Sequence, residues 1–282
     1  MRKKKGACAP FLYESEKSMF TKEQLKHQIL QMGIKPNDTV LIHTSMKAIG
    51  EVEGGADTVI DAFIECLPEG LFLVPTHTWA VVGKDQPVYD VRSTVPNIGA
   101  LPRVAAFRRD GIRSLHVTHS IWAHGRGAAE FIKGEEYAET PCPVGFAWSR
   151  LATVKAKILL LGVNHSRDTF IHSIDELANI PDRIQPEAYE VTCIDWNGNA
   201  IHHPMHPHYC SKTDDISGYF INFEKALISQ GAQAFGKLGH AEVRIVDAQK
   251  CQDVIMRIYS RSDDYEQYVT EFFDIPEERY LP

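Results

Sequence analysis

The sequence has no long apolar run, few cysteines and no excess of positive charge. Because no apolar stretch of signal-peptide or membrane-spanning length follows the basic start MRKKKGACAP, we expect neither secretion nor a membrane span, and a cytoplasmic location. The formal net charge of −7 disfavours a nucleic-acid partner, since neutralising phosphates requires a net-basic face. A small substrate that carries positive charge would suit this surface better.

Repeats, low-complexity linkers and CxxC pairs are also missing. The 282 residues are within the size that one hydrophobic core can reach, so we predict a single domain over residues 1–282 with a flexible N-terminus over about residues 1–15. In a reducing cytosol, scattered cysteines predict free thiols rather than disulfides. The six cysteines are Cys8, Cys66, Cys142, Cys193, Cys210 and Cys251.

Helix-like and strand-like segments alternate in the N-terminal half. FTKEQLKHQILQMGIKP has the period of an amphipathic helix, with Thr21 as the candidate N-cap. DTVLIHTS and LFLVPTHT are short apolar runs typical of buried strands, and GADTVIDAFIECLPEG between them is helical in pattern. Strand, helix and strand at this spacing predict a βαβ unit, which requires a parallel or mixed sheet covered by helices.

The C-terminal half is predicted to add a buried strand that leads into a helix, and a β-hairpin. KAKILLLGV is the most strand-like run and leads into the helical DTFIHSIDELANI, while YEVTCIDWNGNAIHH alternates around an Asn-Gly turn and predicts a hairpin. The expected fold is therefore α/β: a central mixed, partly parallel sheet flanked by helices, with an additional antiparallel β-hairpin region near residues 187–247.

Polar residues follow the first strand, where open α/β sheets bind their ligands. LIHTSMKAIGEVEGG brings Thr44, Ser45 and Lys47 together with free backbone amides, an arrangement that can hold a phosphate. The segment matches neither GxGxxG nor GxxxxGK(S/T), which disfavours a Rossmann dinucleotide site and a P-loop. An ordinary strand-to-helix turn explains it about as well.

In RSLHVTHSIWAHG, His119 directly precedes Ser120. This pair suggests a base and a nucleophile, but GxSxG is absent here and adjacent residues on a strand point to opposite faces. We therefore do not expect a serine hydrolase. A hydrogen-bonded structural role is the simpler interpretation of each isolated histidine.

In DTFIHSIDE, His172 stands three residues before Asp175 and four before Glu176. On a helix, a carboxylate at either spacing shares a face with the imidazole and can orient it or help to bind a cation. A neutral imidazole is a suitable base for taking a proton from an amine or a hydroxyl near pH 7. The alternative is an ordinary surface ion pair.

The segment HHPMHPHYC, residues 202–210, is rich in metal-ligating residue types. A metal-dependent hydrolase would use His202, His206 and His208, joined by His116 or His119. Structural zinc sites usually take ligand pairs from two separated elements, whereas the five candidates of this segment lie in one stretch that two prolines keep extended. These are His202, His203, His206, His208 and Cys210. We therefore expect no metal.

Taken in order, six segments resemble the aminoglycoside N3-acetyltransferase family, the antibiotic acetyltransferases that use acetyl-CoA. They cover the chain from about residue 20 to 260 in the family's order. The segments are LIHTSMKAIGEVEGGADTVIDAF, LPEGLFLVPTHTW, GALPRVAAFRRDGIRSLHVTHSIWAHG, TPCPVGFAWSRL, KILLLGVNHSRDTFIHSIDE and FGKLGHAEVRIVDA.

The resemblance implies direct transfer of an acetyl group to an amine, with a histidine as general base. The histidine after TF in the family's central motif matches His172, and its acidic partner matches Asp175, with Glu176 as the alternative. His119 or Ser120 would orient the base or contact the thioester. The pyrophosphate of acetyl-CoA would lie against Thr44, Ser45, Met46 and Lys47.

The resemblance also implies partners: an amine such as an aminoglycoside, in the setting of antibiotic resistance, and a second copy of the chain. Three departures leave the acceptor open. Val117 replaces a usual proline, the loop before NIGALP is shorter than in drug-modifying members, and HHPMHPHYC is not a family motif. His206 and His208 are candidate contacts to the acceptor. A catalytically silent CoA-binding relative is an alternative to an active enzyme.

Overall fold

The computed structural model describes residues 19–262, 264–265 and 267–282. Cys8 and the predicted flexible N-terminus, about residues 1–15, lie outside the described residues. The remaining five cysteines are free thiols. No helix within the described ranges is long and apolar enough to cross a membrane.

The described part of the chain alternates strands and helices along most of its length. The strands are β1 (Thr39–Thr44), β2 (Leu71–Pro75), β3 (Val88–Asp90), β4 (Ile112–Arg113), β5 (Ile121–Gly125), β6 (Lys157–Leu161), β7 (Tyr189–Ile194), β8 (Ala200–Met205), β9 (Gln233–Leu238) and β10 (Ala241–Asp247).

The helices connect these strands. The α-helices are α1 (Lys22–Gln31), α2 (Met46–Ile49), α3 (Gly55–Cys66), α4 (Ala100–Ala105), α5 (Ala128–Phe131), α6 (Ala147–Thr153), α7 (Phe170–Leu177), α8 (Glu224–Ser229), α9 (Ala248–Ser260) and α10 (Gln267–Thr270). The 3₁₀ helices are Glu135–Tyr137, His165–Arg167, Ile216–Phe223 and Glu277–Arg279.

The N-terminal elements form as their sequence predicts. Thr21 caps α1 with a capping box, in which its hydroxyl accepts from Gln24 N and the Gln24 side chain accepts from Thr21 N. β1 and β2 are parallel neighbours joined through α3, so the predicted βαβ unit is confirmed.

The main sheet has seven strands in the order β4-β5-β2-β1-β6-β10-β9. β1 pairs in parallel with β2 and β6, whereas the outer pairs are antiparallel, so the sheet is mixed. Side chains of β1 alternate between two cores: Leu41 packs with α6, α7 and α9 on one face, and Val40 packs with α1 and α3 on the other. The predicted α/β class is confirmed.

A second sheet has the order β3-β7-β8 and its own small core. β7 and β8 form the predicted antiparallel hairpin around the Asn-Gly turn. Pro204 lies in β8 at the edge of this sheet, where a missing N–H is tolerated. The predicted hairpin region near residues 187–247 spans both sheets, because β9 and β10 belong to the main one.

A close contact joins the ends of the two central strands. Gly162 follows β6 with φ of +67°, and a Cβ there would lie 2.2 Å from the Cβ of Ala48 in α2. Glycine therefore lets α2, which follows β1, pack directly on the end of β6. The segments that leave these two strands are thereby held side by side.

Candidate active site

A cavity of about 590 Å³ opens where β1, β2 and β6 end. Its walls include His43 and Thr44 at the end of β1, Pro75 at the end of β2 and Val163 just after β6. The second sheet and residues 207–217 close the opposite side. The cavity thus coincides with the strand ends at which the sequence predicted a ligand site.

Stacked and edge-on imidazoles form the floor of this cavity. The ring of His172 stacks on that of His208, with centroids 3.8 Å apart and an interplanar angle of 26°. His119 meets His208 edge-on at 5.1 Å, and His77 lies 4.6 Å from His119. Four separate parts of the chain therefore bring their histidines into one cluster.

Burial keeps these imidazoles uncharged. It lowers the pKa of His172, His119 and His77 well below the ordinary value of 6.5, and neighbouring imidazoles lower them further. Burial also lowers the pKa of His208 to about 3. At neutral pH each ring is therefore uncharged, with one nitrogen that carries a hydrogen and one that can accept.

Local structure fixes the two stacked rings. His172 lies in the first turn of α7, where its backbone N–H donates to Thr169 O at 3.1 Å. His208 forms an isolated antiparallel bridge with Ile184, and Gln185 N donates to Pro207 O at 3.0 Å. These backbone contacts fix the end of the histidine-rich segment next to α7.

Several buried polar atoms around the cavity have no hydrogen-bond partner among the described residues. Because such atoms cost free energy when left unpaired, their concentration here indicates a place for a ligand. The atoms are His43 Nε2, Thr44 Oγ1, His77 Nε2, His172 Nδ1 and His208 Nε2.

The two carboxylates predicted beside His172 point to other elements. Asp175 accepts a hydrogen bond from the Tyr259 hydroxyl and lies 3.7 Å from Arg183 Nε, and burial raises its pKa to about 6. Glu176 accepts from Cys142 N at 2.7 Å, and burial raises its pKa to about 7. Within the described residues neither carboxylate hydrogen-bonds to His172.

His119 and Ser120 point in opposite directions. His119 lines the cavity, and its Nδ1 lies 2.9 Å from the Thr118 hydroxyl. Ser120 is buried behind the wall, where its hydroxyl donates to Thr76 O at 2.8 Å. Ser120 is not among the residues that line the cavity, so the structure brings only His119 to the base.

Of the four residues predicted to bind the pyrophosphate, only one lines the cavity. Thr44 lines the cavity, whereas the Ser45 hydroxyl accepts from Ala48 N at 3.3 Å and caps α2. Met46 packs against the apolar core, and Lys47 is exposed. Lys47 therefore lies outside the cavity wall, on the helix next to it.

Arg167 is an exposed residue that lines the cavity and was not predicted as a site residue from the sequence. It belongs to the 3₁₀ helix His165–Arg167, which His165 anchors through Asp168 and Gln233. Its position in the segment just after the most strand-like run was the signal that could have found it.

The prolines spread the side chains of HHPMHPHYC. His202 Nδ1 lies 3.0 Å from the Thr192 hydroxyl, and His206 Nδ1 lies 2.9 Å from Gln185 O. Of the five candidate ligands within this segment, only His208 and Cys210 line the cavity. In the part of the chain that is described, no group of three or more His, Cys, Asp or Glu residues could hold a metal ion. The ligand set required by the hydrolase alternative does not assemble.

Comparison with known proteins points to one family. Residues 41–260 match the sequence model described as aminoglycoside 3-N-acetyltransferase. The chain is 27% identical over 241 residues to aminoglycoside N(3)-acetyltransferase VII of Streptomyces paromomycinus, covering 78% of this chain and 79% of that protein. It is 29% identical over 178 residues to aminoglycoside N(3)-acetyltransferase IX of Micromonospora chalcea, covering 57% of this chain and 63% of that one.

Solved structures share the fold. AAC-IIIb, in a binary complex with CoASH, has a TM-score of 0.72 and 21% identity, covering 84% of this chain and 94% of that chain. AAC-VIa bound to sisomicin has a TM-score of 0.71 and 21% identity, covering 88% and 100%.

Proposed function

Because this chain belongs to the aminoglycoside 3-N-acetyltransferase family, we propose that it transfers an acetyl group from acetyl-CoA to an amine, with His172 as the general base. One observation carries the choice of base. His172 is a neutral imidazole that lines the cavity, and its ring is held in place by stacking on His208. Such a group is able to accept a proton from a bound amine.

The residues of the cavity fit acetyl-CoA. The unpaired atoms of His43, Thr44 and His77 are neutral, which suits the amides and carbonyls of the cofactor's thioester arm. Lys47 and Arg167 follow the neighbouring parallel strands β1 and β6, and both are cations suited to phosphate groups. The related AAC-IIIb binds CoASH, which supports the same cofactor here.

When bound, acetyl-CoA would supply the acetyl group, which passes to the amine nitrogen as the C–N bond forms and the C–S bond breaks. His172 would take the amine proton at Nε2, since Nδ1 is completely buried, and return it to the departing sulfur. His119 would contact the thioester from the adjoining wall, and His208 would border the acceptor. Direct attack by the amine needs no nucleophile from the protein.

The other predicted site residues would act through these groups. Ser120 would hold the wall that carries His119, because its hydroxyl fastens it to Thr76. Asp175 and Glu176 would fix α7 and thereby His172, through Tyr259 and Cys142 respectively. Each is proposed as a positioning residue rather than as a group that touches the substrate.

Several wider expectations form part of the proposal. One domain over residues 1–282 is supported by a main sheet whose strands come from residues 39 to 247. AAC-VIa binds sisomicin, which supports an aminoglycoside or another amine as acceptor. A cytoplasmic location, a second copy of the chain as partner, His206 as a further acceptor contact and antibiotic resistance complete the proposal.

Replacing His172 tests the assignment of the base. His172→Ala should lower acetyl transfer by about 10²-fold or more, the usual share of a general base, and leave CoA binding nearly intact. Release of free CoA thiol, with sisomicin and simple amines as acceptors, measures transfer, and calorimetric titration with CoA measures binding.

His202→Ala is the matched control, because this histidine hydrogen-bonds to Thr192 and lies outside the cavity wall. It should keep wild-type transfer and CoA affinity. If His172→Ala retains full activity, His172 is not the base. If the wild-type protein does not bind CoA, the proposed reaction itself is wrong.

A further inference from the structure

The walls of the cavity carry little charge. Among the described residues that line it, the side chains with a formal charge are Arg167, Asp214 and Asp215. The lining histidines with shifted pKa values are neutral because burial lowers those pKa values below 6.5, so they add no positive charge to the wall. Because Arg167 is assigned to the phosphates of acetyl-CoA, the charges left for the acceptor are the two carboxylates.

The two carboxylates lie next to each other at the rim. Asp214 and Asp215 are exposed and directly precede the 3₁₀ helix Ile216–Phe223. Asp215 accepts a hydrogen bond from the Ser217 hydroxyl, which fixes its position. Because both come from one short segment, they form one acidic patch and not a set of carboxylates spread around the cavity.

Aromatic and aliphatic side chains make up much of the remaining wall. Trp79 is 54% exposed and Tyr209 is 41% exposed, although both line the cavity. Ile98 and Pro102 extend the apolar surface from another segment. Exposed aromatic faces at the mouth of a cavity bind flat apolar groups by stacking and a cation by its attraction to the ring.

The charges of the wall can be compared with the charges of acceptor classes. A polycationic amino sugar brings several ammonium groups, and each one that leaves water needs a carboxylate or a comparable partner. The acidic patch of Asp214 and Asp215 offers partners for one or two of these ammonium groups. The amine that reacts at His172 must itself be uncharged in order to attack.

From this arrangement we infer that the acceptor is a primary amine with an aromatic or otherwise apolar body, and that it carries no more further positive charges than the one or two that the acidic patch can pair. The inference rests on the proposed acetyl transfer, and the balance of that reaction is unchanged. The apolar body would lie against Trp79 and Tyr209, with the reacting nitrogen at His172. Any second ammonium would lie at the acidic patch.

A comparison of acceptors tests the inference. Release of CoA thiol is measured with 2-phenylethylamine and tryptamine as aromatic monoamines, and with sisomicin as the polycationic amine. The best aromatic amine should exceed sisomicin in kcat/KM by about tenfold or more, since selection by apolar contacts reaches about this size. A value for sisomicin that equals or exceeds those of both aromatic amines overturns the inference and leaves the proposed function standing.

Variants of the wall make the test specific. Trp79→Ala should raise the KM of the aromatic amine by about tenfold with CoA affinity unchanged, because only the stacking face is lost. Tyr137→Ala, another exposed aromatic that is not among the lining residues, should leave both values unchanged. An unchanged KM in Trp79→Ala contradicts the assignment of this face, as does acetylation of neither aromatic amine by an enzyme that binds CoA. Loss of CoA binding in the wild-type protein would instead count against the proposed function.

Discussion

The imidazole of His172 is enclosed by other rings on two sides. His208 stacks on it at 3.8 Å, and Phe220 meets it edge-on at 4.7 Å. Burial lowers its pKa first of all, and the charges that His208, His77 and Arg183 would bring lower it further. At the scale of the residue, the surroundings therefore favour the neutral form that a general base requires.

This environment predicts the pH dependence of acetyl transfer. A base is inactive when protonated, and a pKa held well below 6.5 keeps His172 unprotonated until the solution is more acidic than that. The acid limb of kcat, measured at saturating acceptor and acetyl-CoA, should therefore lie well below pH 6.5. An acid limb at or above pH 6.5 would contradict the assignment.

The stacked partner provides the control. His208→Phe keeps an aromatic ring against His172 but removes a group whose charge lowers the pKa of the base. The acid limb should move to higher pH in this variant. His202→Phe, on the hairpin away from the cavity wall, should leave the limb where it is in the wild-type protein.

The carboxylates near His172 indicate what helical spacing can and cannot predict. Spacings of three and four residues placed Asp175 and Glu176 near the same turn as the base, and α7 is a helix as expected. Their hydrogen-bond partners, Tyr259 and Thr140, come from distant parts of the sequence. The helical period predicts which face of a helix a side chain occupies. It does not predict which neighbouring element supplies the hydrogen-bond partner of that side chain.

At the scale of the element, the long periodic segments were predictable. The strands β1, β2 and β6 and the helices α1 and α3 follow from apolar runs and helical period. The short strands β3 and β4 have three and two residues, too few to show a pattern. The pairing of β3 with β7 and the stacking of His208 on His172 depend on contacts between distant segments, which a local pattern does not encode.

In the segment of the short helix α2, capping of the helix and binding of CoA can be tested by separate variants. Ser45 caps α2 through its hydroxyl, so Ser45→Ala should lower the free energy of unfolding by about 1 kcal/mol, the usual cost of a lost N-cap. Lys47 is exposed, so Lys47→Ala should leave stability nearly unchanged and weaken the binding of CoA. Denaturant unfolding and calorimetric titration with CoA measure the two effects.

Each outcome for α2 has a distinct meaning. Weaker CoA binding in Ser45→Ala, beyond the change in Lys47→Ala, would mean that the segment binds phosphate mainly through its hydroxyl and backbone. An unchanged CoA affinity in both variants would remove the proposed phosphate role of this segment. The helix would then serve only to close the end of β6 through Ala48 and Gly162.

At the scale of the whole molecule, the fold excludes water from an unusual number of titratable groups. Six imidazoles have pKa values lowered mainly by burial, and all lie in or beside the cavity. They are His43, His77, His116, His119, His172 and His208. The unfolded chain exposes each of them to water, where protonation costs far less. The stability of the molecule is thereby linked to pH.

Buried carboxyl groups act in the opposite direction. Burial raises the pKa of Glu135 and Glu176 to about 7 and that of Asp175 to about 6, so the folded chain binds their protons more readily than the unfolded chain. Their contribution to stability is present at acidic pH and is lost as the pH rises through these values. Acidification from pH 7 therefore favours folding at these three positions and opposes it at the six imidazoles.

The imidazoles should dominate, because they are twice as numerous and the unfolded chain begins to bind their protons near pH 6.5. Between pH 6.5 and about 4, where the pKa values of His43 and His116 lie, the unfolded state binds the additional protons and stability falls as the pH falls. Scanning calorimetry should record a lower Tm at pH 5 than at pH 7. His208→Phe should reduce this difference and His202→Phe should not, whereas a Tm that rises on acidification would mean that the carboxyl groups control the linkage.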